Sequence, residues 1–445
     1  MGQDSIAEAG IDIESVIDAA PIGGFIAKIV MLCATVALLD GFDTLAISYV
    51  APVIADAWKL PKQAFGPIFA AHYLGAALGA AMFGVLADRF GRRPVIMACT
   101  AIFGIFALST PLTHDFTSLF VVRALTGLGL GGALSNVISL VSEYAPSRAR
   151  ATLVSIMYAA FPVGGVVGGP LSAHVVANYG WEAVFVIGGA APLVLLLGLI
   201  SALPESLRFL VAHDAPPERL ATLLRRMSPT PPEAGRITVG ERPSSGREPV
   251  REIFSKEYAR TTTLLWLSSF VTQLVIVYVI TWMPTLLKEV GLPLSRAIIT
   301  SAMFSVGGIV GSLLLARMID KQKSYRLLVH AYILAALAIG LIGISTASTG
   351  WLFAIVCLSG MSIVGAQVNL SAYSSTVYPT RIRSTGIGWI IGVGRIGAIL
   401  GALVGTAFVS AGLSFETQYL LAAIPALLAG IAVYLARAKH RLAAA

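Results

Sequence analysis

The chain has 445 residues, of which 56% are hydrophobic and 12% are charged, and its mean hydropathy is +0.82. A soluble domain cannot bury that much apolar surface, so the composition excludes a soluble globular protein and predicts an all-α integral membrane protein in a lipid bilayer. The net charge of +8 does not indicate a nucleic-acid partner, because Lys and Arg concentrate in alternate loops, a distribution that sets membrane topology.

The N-terminal segment, 1–24, contains five carboxylates. That charge is wrong for the n-region of a signal peptide, so we predict a cytoplasmic tail.

Apolar runs of about 20 residues, the length that a membrane helix needs, then follow in two sets. The first set lies near 25–49, 64–87, 94–112, 117–142, 151–177 and 182–203. The second set lies near 261–287, 297–318, 325–346, 350–378, 384–410 and 416–437. We predict two six-helix lobes, 25–203 and 261–437, a polar cytoplasmic linker, 204–260, and a C-terminal tail, 438–445. The linker is expected to form a short amphipathic helix near 216–226.

A repeated motif relates the two sets. Pro146-Ser-Arg148-Ala-Arg150 follows the fourth span, and Pro379-Thr-Arg381-Ile-Arg383 follows the tenth span at the same spacing. Repeats of six spans are typical of transporters whose substrate site lies between two lobes near the midplane. The loops that carry these arginines are predicted to be cytoplasmic by the positive-inside rule, and so are both termini.

The first span contains two carboxylates, Asp40 and Asp43. An ionised side chain at the centre of a membrane helix costs roughly 2.5 to 3.5 kcal/mol, so such residues usually belong to a proton, ion or substrate path. We predict that both take part in proton coupling. The alternative is structural, with one Asp capping a helix break near Gly41 and the other lying in an aqueous mouth.

Between the second and third spans, Gly84-Val-Leu-Ala-Asp88-Arg89-Phe-Gly91-Arg92-Arg93 matches the G-x-x-x-D-R-x-G-R-R signature of the major facilitator superfamily at every position. By this resemblance the segment has a gating role, in which Asp88 pairs with arginines and a helix terminus. The predicted gating residues are Gly84, Asp88, Arg89, Gly91, Arg92, Arg93, Glu143, Arg148, Arg150, Arg381 and Arg383.

Arg123 lies inside the fourth span and opens a glycine-rich run that resembles the superfamily's second signature. A buried guanidinium needs an anionic partner. In similar proton-coupled members the partner is a first-helix Asp in a G-[FY]-D-T context, which Gly41-Phe-Asp43-Thr44 fits. The resemblance therefore pairs Asp43 with Arg123, and protonation of Asp43 would release Arg123. The alternative is a static salt bridge.

Arg395 lies in the eleventh span and is the only Lys or Arg of the second set that lies away from the ends of the spans. These spans contain no carboxylate at that depth that could neutralise it. An arginine without a protein partner would suit an anionic substrate. The alternative is an arginine that snorkels to the cytoplasmic surface. Further candidate substrate residues are polar or aromatic and lie at membrane depth: Phe42, His72, Gln273, Tyr278, Gln367, Asn369 and Trp389. His72 is alternatively a core histidine or part of the proton path, and Gln367 and Asn369 diverge on a straight helix.

Glycines recur on two spans, as Gly164-Gly-Val-Val-Gly168-Gly and as Gly397-x-x-x-Gly401-x-x-x-Gly405. We predict close helix packing at both. The first run also partly resembles the antiporter signature of drug exporters.

The whole chain resembles the aromatic acid:proton symporters of the major facilitator superfamily, through Leu39-Asp40-Gly-Phe-Asp43-Thr44, Ala51-Pro52, Arg123 and the Arg395 context. The resemblance implies a transporter without enzymatic activity, cofactor or metal, working as a monomer in the bacterial inner membrane. It would import a benzoate-like or hydroxybenzoate-like anion with protons by alternating access. The alternatives are a sugar, polyol or other organic-anion porter of the same fold, a proton-driven exporter, and a transporter-like sensor.

Overall fold

The computed structural model describes residues 11–213, 215–227, 237–238, 251–322, 326–345 and 348–442. Its first half contains β1 (Ile11–Asp12), α1 (Ile13–Ala19), α2 (Gly24–Trp58), α3 (Phe65–Phe90), α4 (Arg92–Ser109), α5 (Phe116–Tyr144), α6 (Arg150–Tyr179), α7 (Glu182–Ala202), α8 (Leu207–Ala212), α9 (Pro217–Met227) and β2 (Ile237–Thr238). Its second half contains α10 (Ala259–Glu289), α11 (Leu294–Gln322), α12 (Arg326–Ile344), α13 (Thr349–Val377), α14 (Thr380–Ser410) and α15 (Phe415–Leu442).

Within the described residues, 12 helices are long and apolar enough to cross a membrane. These are α2 to α7 and α10 to α15, so the prediction of an all-helical membrane protein with twelve spans is confirmed. Many large hydrophobic side chains point outward along them, among them Leu197, Leu337 and Ile424. Such an apolar outer surface is stable in lipid and unstable in water.

The first membrane helix is longer than its apolar run indicates, because α2 continues past Tyr49 and through Pro52 to Trp58. It ends at Lys59, whose φ of 52° lies in the left-handed region. The helix is continuous over 40–43, so the alternative in which a carboxylate caps a break near Gly41 is wrong.

The two halves repeat the same helix contacts. In the first half α2 packs on α6, α3 on α5, and α4 on α7. In the second half α10 packs on α14, α11 on α13, and α12 on α15, which are the equivalent pairs six spans later. The halves meet through three pairs, α2 with α10, α3 with α14, and α6 with α11. A division into lobes at 204–260 fits these contacts and stays a prediction.

Glycines allow the closest of these approaches. A Cβ on Gly41 would lie 1.8 Å from the carbonyl oxygen of Phe161, and one on Gly164 would lie 2.0 Å from that of Leu38. On α14, a Cβ on Gly397 would lie 2.1 Å from the carbonyl oxygen of Phe270. The predicted packing role of both glycine runs is therefore confirmed, and the run on α6 has an explanation that does not need an exporter.

The short elements lie at one end of the bundle. β1 pairs in parallel with β2 through Ile11 and Ile237. The apolar side of α1 joins the same buried cluster as residues of α8 and α9, including Ile17, Leu207 and Leu224. The predicted amphipathic helix near 216–226 is confirmed as α9, and the remainder of the linker over 228–236 and 239–250 lies outside the described residues.

At the opposite end, the halves are joined by two ion pairs. Lys288 of α10 contacts the carboxylate of Asp56, and Lys62, in a 3-10 turn (Lys62–Ala64), contacts Glu289. Thr406 of α14 also donates to the carbonyl oxygen of residue 63 over 2.9 Å. Among the described ion pairs, those that connect the halves all lie here. This end of the bundle is therefore closed, and we call it the closed end.

Exposed ion pairs contribute little individually, so removing one should shift the balance of states without unfolding the protein. We expect Lys288→Gln and Asp56→Asn each to raise the population opened at the closed end about two- to fivefold, the equivalent of roughly 0.5 to 1 kcal/mol. Spin labels at positions 59 and 296, with the three native cysteines replaced by alanine, would report the population as a longer distance component in double electron–electron resonance.

The control is Glu182→Gln, which removes an exposed carboxylate of α7 in the first half and leaves both ion pairs intact. An unchanged distance distribution in both Lys288→Gln and Asp56→Asn would show that these ion pairs do not hold the end closed.

Candidate functional site

Asp43 and Arg123 form an ion pair in the interior of the first half. Nη1 of Arg123 lies 3.1 Å from Oδ2 of Asp43, and both side chains are fully buried. Nη2 donates to the hydroxyls of Thr110 over 2.8 Å and Thr126 over 2.9 Å. The guanidinium also stands 4.9 Å from the centre of the Phe185 ring. The structure thus brings the predicted pair together, with hydroxyls and an aromatic face around the arginine.

Residues near Arg123 in the sequence determine its position in the bundle. Asp115 caps α5 through a reciprocal capping box with Ser118, which sets the start of the helix. One turn after Arg123, a Cβ on Gly127 would lie 2.1 Å from the carbonyl oxygen of His72. Because Gly127 has no side chain, α3 approaches α5 closely, and His72 lies beside the Arg123 charge.

Asp40 has a different environment, one helical turn away from Asp43. The hydroxyl of Thr44 donates to Oδ1 of Asp40 over 3.1 Å. The same Thr44 oxygen lies 3.2 Å from Nε2 of His72. All three side chains are buried. The predicted residue His72 is therefore hydrogen-bonded within the first half, between α2 and α3.

Arg395 is a cation of the second half that lies in electrostatic range of this carboxylate. It lies midway along α14, and its Nη1 donates to the carbonyl oxygen of Ala76 on α3 over 3.1 Å. It also lies in electrostatic range of Tyr158. The expectation that Arg395 has no protein partner is wrong, because the partner groups come from the first half. It does not reach for the membrane surface, so the snorkelling alternative does not hold here.

Two aromatic rings of α6 lie near this contact, and sequence analysis did not single them out. The rings of Tyr158 and Phe161 stack with centroids 6.1 Å apart and planes at 14°. Tyr158 is 43% exposed and lies two helical turns before Gly165, whose Cβ position faces Ser305 of α11. Tyr158 therefore lies on the side of α6 that faces the second half.

Three polar residues of the second half, Ser269, Gln273 and Gln367, lie near the part of α14 that precedes Arg395. Gln367 donates through Nε2 to Ser269 over 3.2 Å, and Ser269 donates to the carbonyl oxygen of residue 390 over 3.0 Å. Ser269 and the side chain of Gln273 both border Gly394, the residue before Arg395. The structure thus brings Gln273 and Gln367 toward Arg395.

Other predicted substrate residues are placed elsewhere. Phe42 faces α6 and α7, since a Cβ on Gly168 or Gly188 would lie within 3 Å of its ring. Tyr278 is fully buried and donates to Gln418 over 3.1 Å. Their surroundings are those of packing residues, and a contact with substrate stays a prediction for each.

Asn369 and Trp389 also lie apart from Arg395. Asn369 donates to the carbonyl oxygens of Gly365 and Ser312 over 2.9 and 3.2 Å, which joins α13 to α11. Trp389 stacks on Trp266 with centroids 5.4 Å apart. Because Gln367 turns toward α10 and Asn369 toward α11, the predicted divergence of these two side chains is observed.

The predicted gating residues after α3 converge at the end opposite the closed end. Arg92 contacts Asp88 over 2.7 Å, Glu143 over 3.4 Å and Asn136 over 3.3 Å. Glu205, which sequence analysis did not select, accepts from the backbone N–H groups of residues 92 and 93 over 2.8 and 3.1 Å. It therefore neutralises the exposed N–H groups at the start of α4. Its sequence signal is its place in Pro204-Glu205-Ser206-Leu-Arg208-Phe-Leu210 after the sixth span, a motif that resembles one of sugar porters and indicates the superfamily only.

The remaining gating residues are arranged singly. Gly91 has a φ of 99°, and a Cβ at Gly84 would meet open space. Arg89 lies over the ring of Phe90, and Arg93 donates to the carbonyl oxygen of residue 200 over 2.6 Å.

The last arginine of the Pro-x-Arg-x-Arg motif, Arg150 in the first half and Arg383 in the second, makes the same hydrogen bond in both halves. Nε of Arg150 lies 3.4 Å from the carbonyl oxygen five residues before it, and Arg383 does the same. Arg148 instead donates to the carbonyl oxygens of residues 18 and 20, next to α1. Hydrogen bonds from Ser147, first from its hydroxyl, hold the pKa of the Asp18 carboxyl below its usual value. The side chain of Arg381 lies outside the described residues.

Comparison with known proteins decides the family. The sequence profile described as Major Facilitator Superfamily matches residues 33–390. The chain belongs to the major facilitator superfamily. It is 37% identical to the gallate transporter of Pseudomonas putida, covering 98% of this chain and 97% of that protein. It is 36% identical to the 4-hydroxybenzoate transporter PcaK of Pseudomonas aeruginosa, covering 96% and 95%.

A 3-(3-hydroxy-phenyl)propionate transporter of Escherichia coli is 35% identical over 92% of this chain and 93% of that protein. Among solved structures, a D-xylose-proton symporter superposes with a TM-score of 0.70 at 16% identity, covering 92% of this chain and 97% of that one. The latter likeness shows the fold alone. Family, twelve membrane helices and bacterial relatives identify a multi-pass transporter of the bacterial inner membrane, not an enzyme.

The buried pair generates a prediction about stability. Arg123→Met leaves Asp43 buried without its partner, and breaking such a pair costs about 3 to 5 kcal/mol. We expect a clear loss of thermal stability in detergent, measured by tryptophan fluorescence. The double variant Asp43→Leu/Arg123→Met should recover most of it, because replacing both charges by apolar groups is often neutral. Equal destabilisation in the single and double variants would contradict this account of the pair.

Proposed function

We propose that the chain is a proton-coupled importer of an aromatic carboxylate, working by alternating access between its two halves. The observation that carries the proposal is the position of Arg395. It is a cation of the second half, midway along its helix, in contact with α3 and in electrostatic range of Asp40 on α2 of the first half. A carboxylate substrate and Asp40 would compete for the same guanidinium.

That competition provides coupling. While Asp40 is ionised, it supplies the countercharge of Arg395. When Asp40 is protonated, Arg395 needs another anion, and a guanidinium is well suited to bind a carboxylate through two N–H groups. Proton and substrate would then be taken up together. Each one favours the other because both act on one charge.

The ring of the substrate has aromatic neighbours available. Tyr158 lies in electrostatic range of Arg395 and stacks with Phe161. A planar ring extending from a carboxylate at Arg395 would find an aromatic face on α6. The relatives named for gallate and 4-hydroxybenzoate fit the same substrate class, a carboxylate on an aromatic ring.

In this proposal the Asp43–Arg123 ion pair takes part in the conformational change. Protonation of Asp43 would release Arg123 and change the packing between α2 and α5. The alternative is a static pair that only stabilises the first half. These readings differ in the effect of Asp43→Asn, which retains the shape of the side chain and removes its charge.

The positive-inside rule gives the orientation. The end with Arg92, Arg93, Arg148 and Arg150 is proposed to be cytoplasmic, with both termini, so the closed end faces the periplasm. The structure would then represent an inward-facing state, in which the described ion pairs of the gating residues lie within the first half.

The test is uptake into proteoliposomes containing the full-length protein. We expect 4-hydroxybenzoate, gallate or benzoate to accumulate when an inward proton gradient is imposed, and glucose not to. Asp40→Asn should make uptake indifferent to the gradient, because the carboxylate that exchanges with substrate at Arg395 can no longer titrate. If the Asp43–Arg123 pair is a switch, Asp43→Asn should abolish gradient-driven uptake and retain counterflow of labelled for unlabelled substrate at equal pH. If the pair is static, the same variant loses stability, since Arg123 is left buried without its partner, and uptake and counterflow should fall together.

Arg395→Gln should weaken substrate binding about thirtyfold or more, since a buried charge partner is lost. Arg296→Gln, at an exposed arginine of the same half, is the matched control and should bind like wild type. Accumulation of glucose, or wild-type flux of aromatic acids that ignores the proton gradient, would overturn the proposed function.

A further inference from the structure

Three side chains form a continuous buried chain between α2 and α3. Thr44 lies between Asp40 and His72, with oxygen-to-oxygen and oxygen-to-nitrogen distances of 3.1 and 3.2 Å. Exposed fractions are 4% for Asp40, 7% for Thr44 and 2% for His72. Nδ1 of His72 is buried and has no hydrogen-bond partner within the part of the chain that the structure describes.

The hydroxyl of Thr44 departs from the usual habit of threonine in a helix. Threonines commonly donate to the backbone carbonyl four residues earlier, as Thr35, Thr126 and Thr272 do here. Thr44 instead donates to the side chain of Asp40, which occupies that same position in the sequence. The Thr44 hydroxyl therefore donates to the Asp40 carboxylate and not to a backbone carbonyl oxygen of α2.

The directions of the hydrogen bonds follow from the number of protons available. Thr44 has one hydroxyl proton, which it gives to the ionised Asp40. Its oxygen can then only accept from His72, so Nε2 carries the proton and Nδ1 is an acceptor. If Asp40 is protonated, the same heavy atoms support the opposite direction. Asp40 then donates to Thr44, and Thr44 donates to Nε2 of a ring whose proton is on Nδ1.

Charged groups bound this chain at both ends. Asp40 is in electrostatic range of Asp43, of Arg395 and of Tyr73 and Tyr158. His72 is in range of Arg123, which is paired with Asp43. The chain therefore runs from Asp40, which is in range of Arg395 of the second half, to His72, which is in range of the Asp43–Arg123 ion pair inside the first half.

We infer that Thr44 and His72 form a proton relay that loads and unloads Asp40, an inference that rests on the proposed proton coupling. When a proton reaches Nδ1 of His72, the Nε2 proton passes to the oxygen of Thr44, and the Thr44 hydroxyl proton passes to Oδ1 of Asp40. One proton enters and one is gained by Asp40. Thr44 and His72 both end neutral, and the imidazole has changed tautomer. The reverse sequence returns the proton.

The relay separates the route of the proton from the route of the substrate. Asp40 accepts a hydrogen bond from Thr44 and is in electrostatic range of Arg395, where an anion would bind. A proton that reached Asp40 from the substrate side would have to pass the guanidinium of Arg395. The path through His72 avoids this positive charge, although it runs near Arg123, whose charge is balanced by Asp43.

The experiment compares Thr44→Val, which removes the hydroxyl at nearly constant volume, with Thr44→Ser, which retains it. Full-length variants are reconstituted in proteoliposomes with 4-hydroxybenzoate as the probe. Two rates are measured: accumulation driven by a proton gradient, and counterflow of labelled for unlabelled substrate at equal pH, which requires no net proton movement. Thr35→Val, which removes an exposed hydroxyl from the same helix, is the matched control.

We expect the accumulation rate of Thr44→Val to fall about tenfold, since positioned proton donors contribute factors of roughly 10² to 10⁴ and other steps limit part of the turnover. Counterflow should fall much less, and Thr44→Ser and Thr35→Val should behave like wild type. His72→Gln should reproduce the selective loss of accumulation, because its amide cannot pass a proton on.

Wild-type accumulation in Thr44→Val would overturn the relay. Equal losses of accumulation and counterflow would also overturn it and would assign Thr44 to substrate binding or packing. Failure of the proposed function is distinguishable from both, because it appears in the wild type, as counterflow without any response to the proton gradient.

Discussion

A charge buried in a membrane protein needs an opposite charge nearby, and the arrangement of the central helices depends on this constraint. Asp43 meets the constraint inside the first half, through Arg123 at 3.1 Å. Asp40 meets it across the boundary, through the field of Arg395 from the second half. Two carboxylates three residues apart on one helix therefore have different dependences on the relative position of the halves. The environment of Asp40 therefore depends on where the second half stands, and the ion pair of Asp43 is made within the first half.

Close backbone contact is what makes these charge positions rigid. Gly41 lies between the two carboxylates, and its missing side chain lets α2 touch the backbone of α6. Gly127 does the same for α5 against α3, next to Arg123. A larger residue at either position would push apart the helices that hold the charges. The glycine-rich sequence of these spans is thus a condition for the polar network and not only for tight packing.

Sequence reasoning succeeded where a physical requirement left few solutions. Arg123 was expected to need an anionic partner because hydrocarbon does not tolerate an isolated charge, and the family resemblance identified that partner as Asp43. Twelve apolar runs allowed little besides twelve helices. It failed where the sequence contains no such requirement. Nothing in the sequence separates Tyr158 and Phe161 from the other residues of α6, or shows that Phe42 and Tyr278 pack against neighbouring helices. The partner of Arg395 was missed because it is a backbone carbonyl, which no sequence pattern distinguishes.

In the proposed mechanism, the position of Arg395 lets a single proton site, Asp40, couple the uptake of a proton to the uptake of a substrate anion. A ligand shifts a conformational equilibrium only by its difference in affinity between the states. If Asp40 is ionised while a substrate carboxylate is bound, two anions share the guanidinium of Arg395. If Asp40 is protonated and no substrate is bound, Arg395 has no countercharge. Both combinations are unfavourable in a low-dielectric interior. Movement of the halves is therefore easiest when Arg395 has one anion, either Asp40 alone or substrate with Asp40 protonated. Those two states are the empty return step and the loaded step of a symporter.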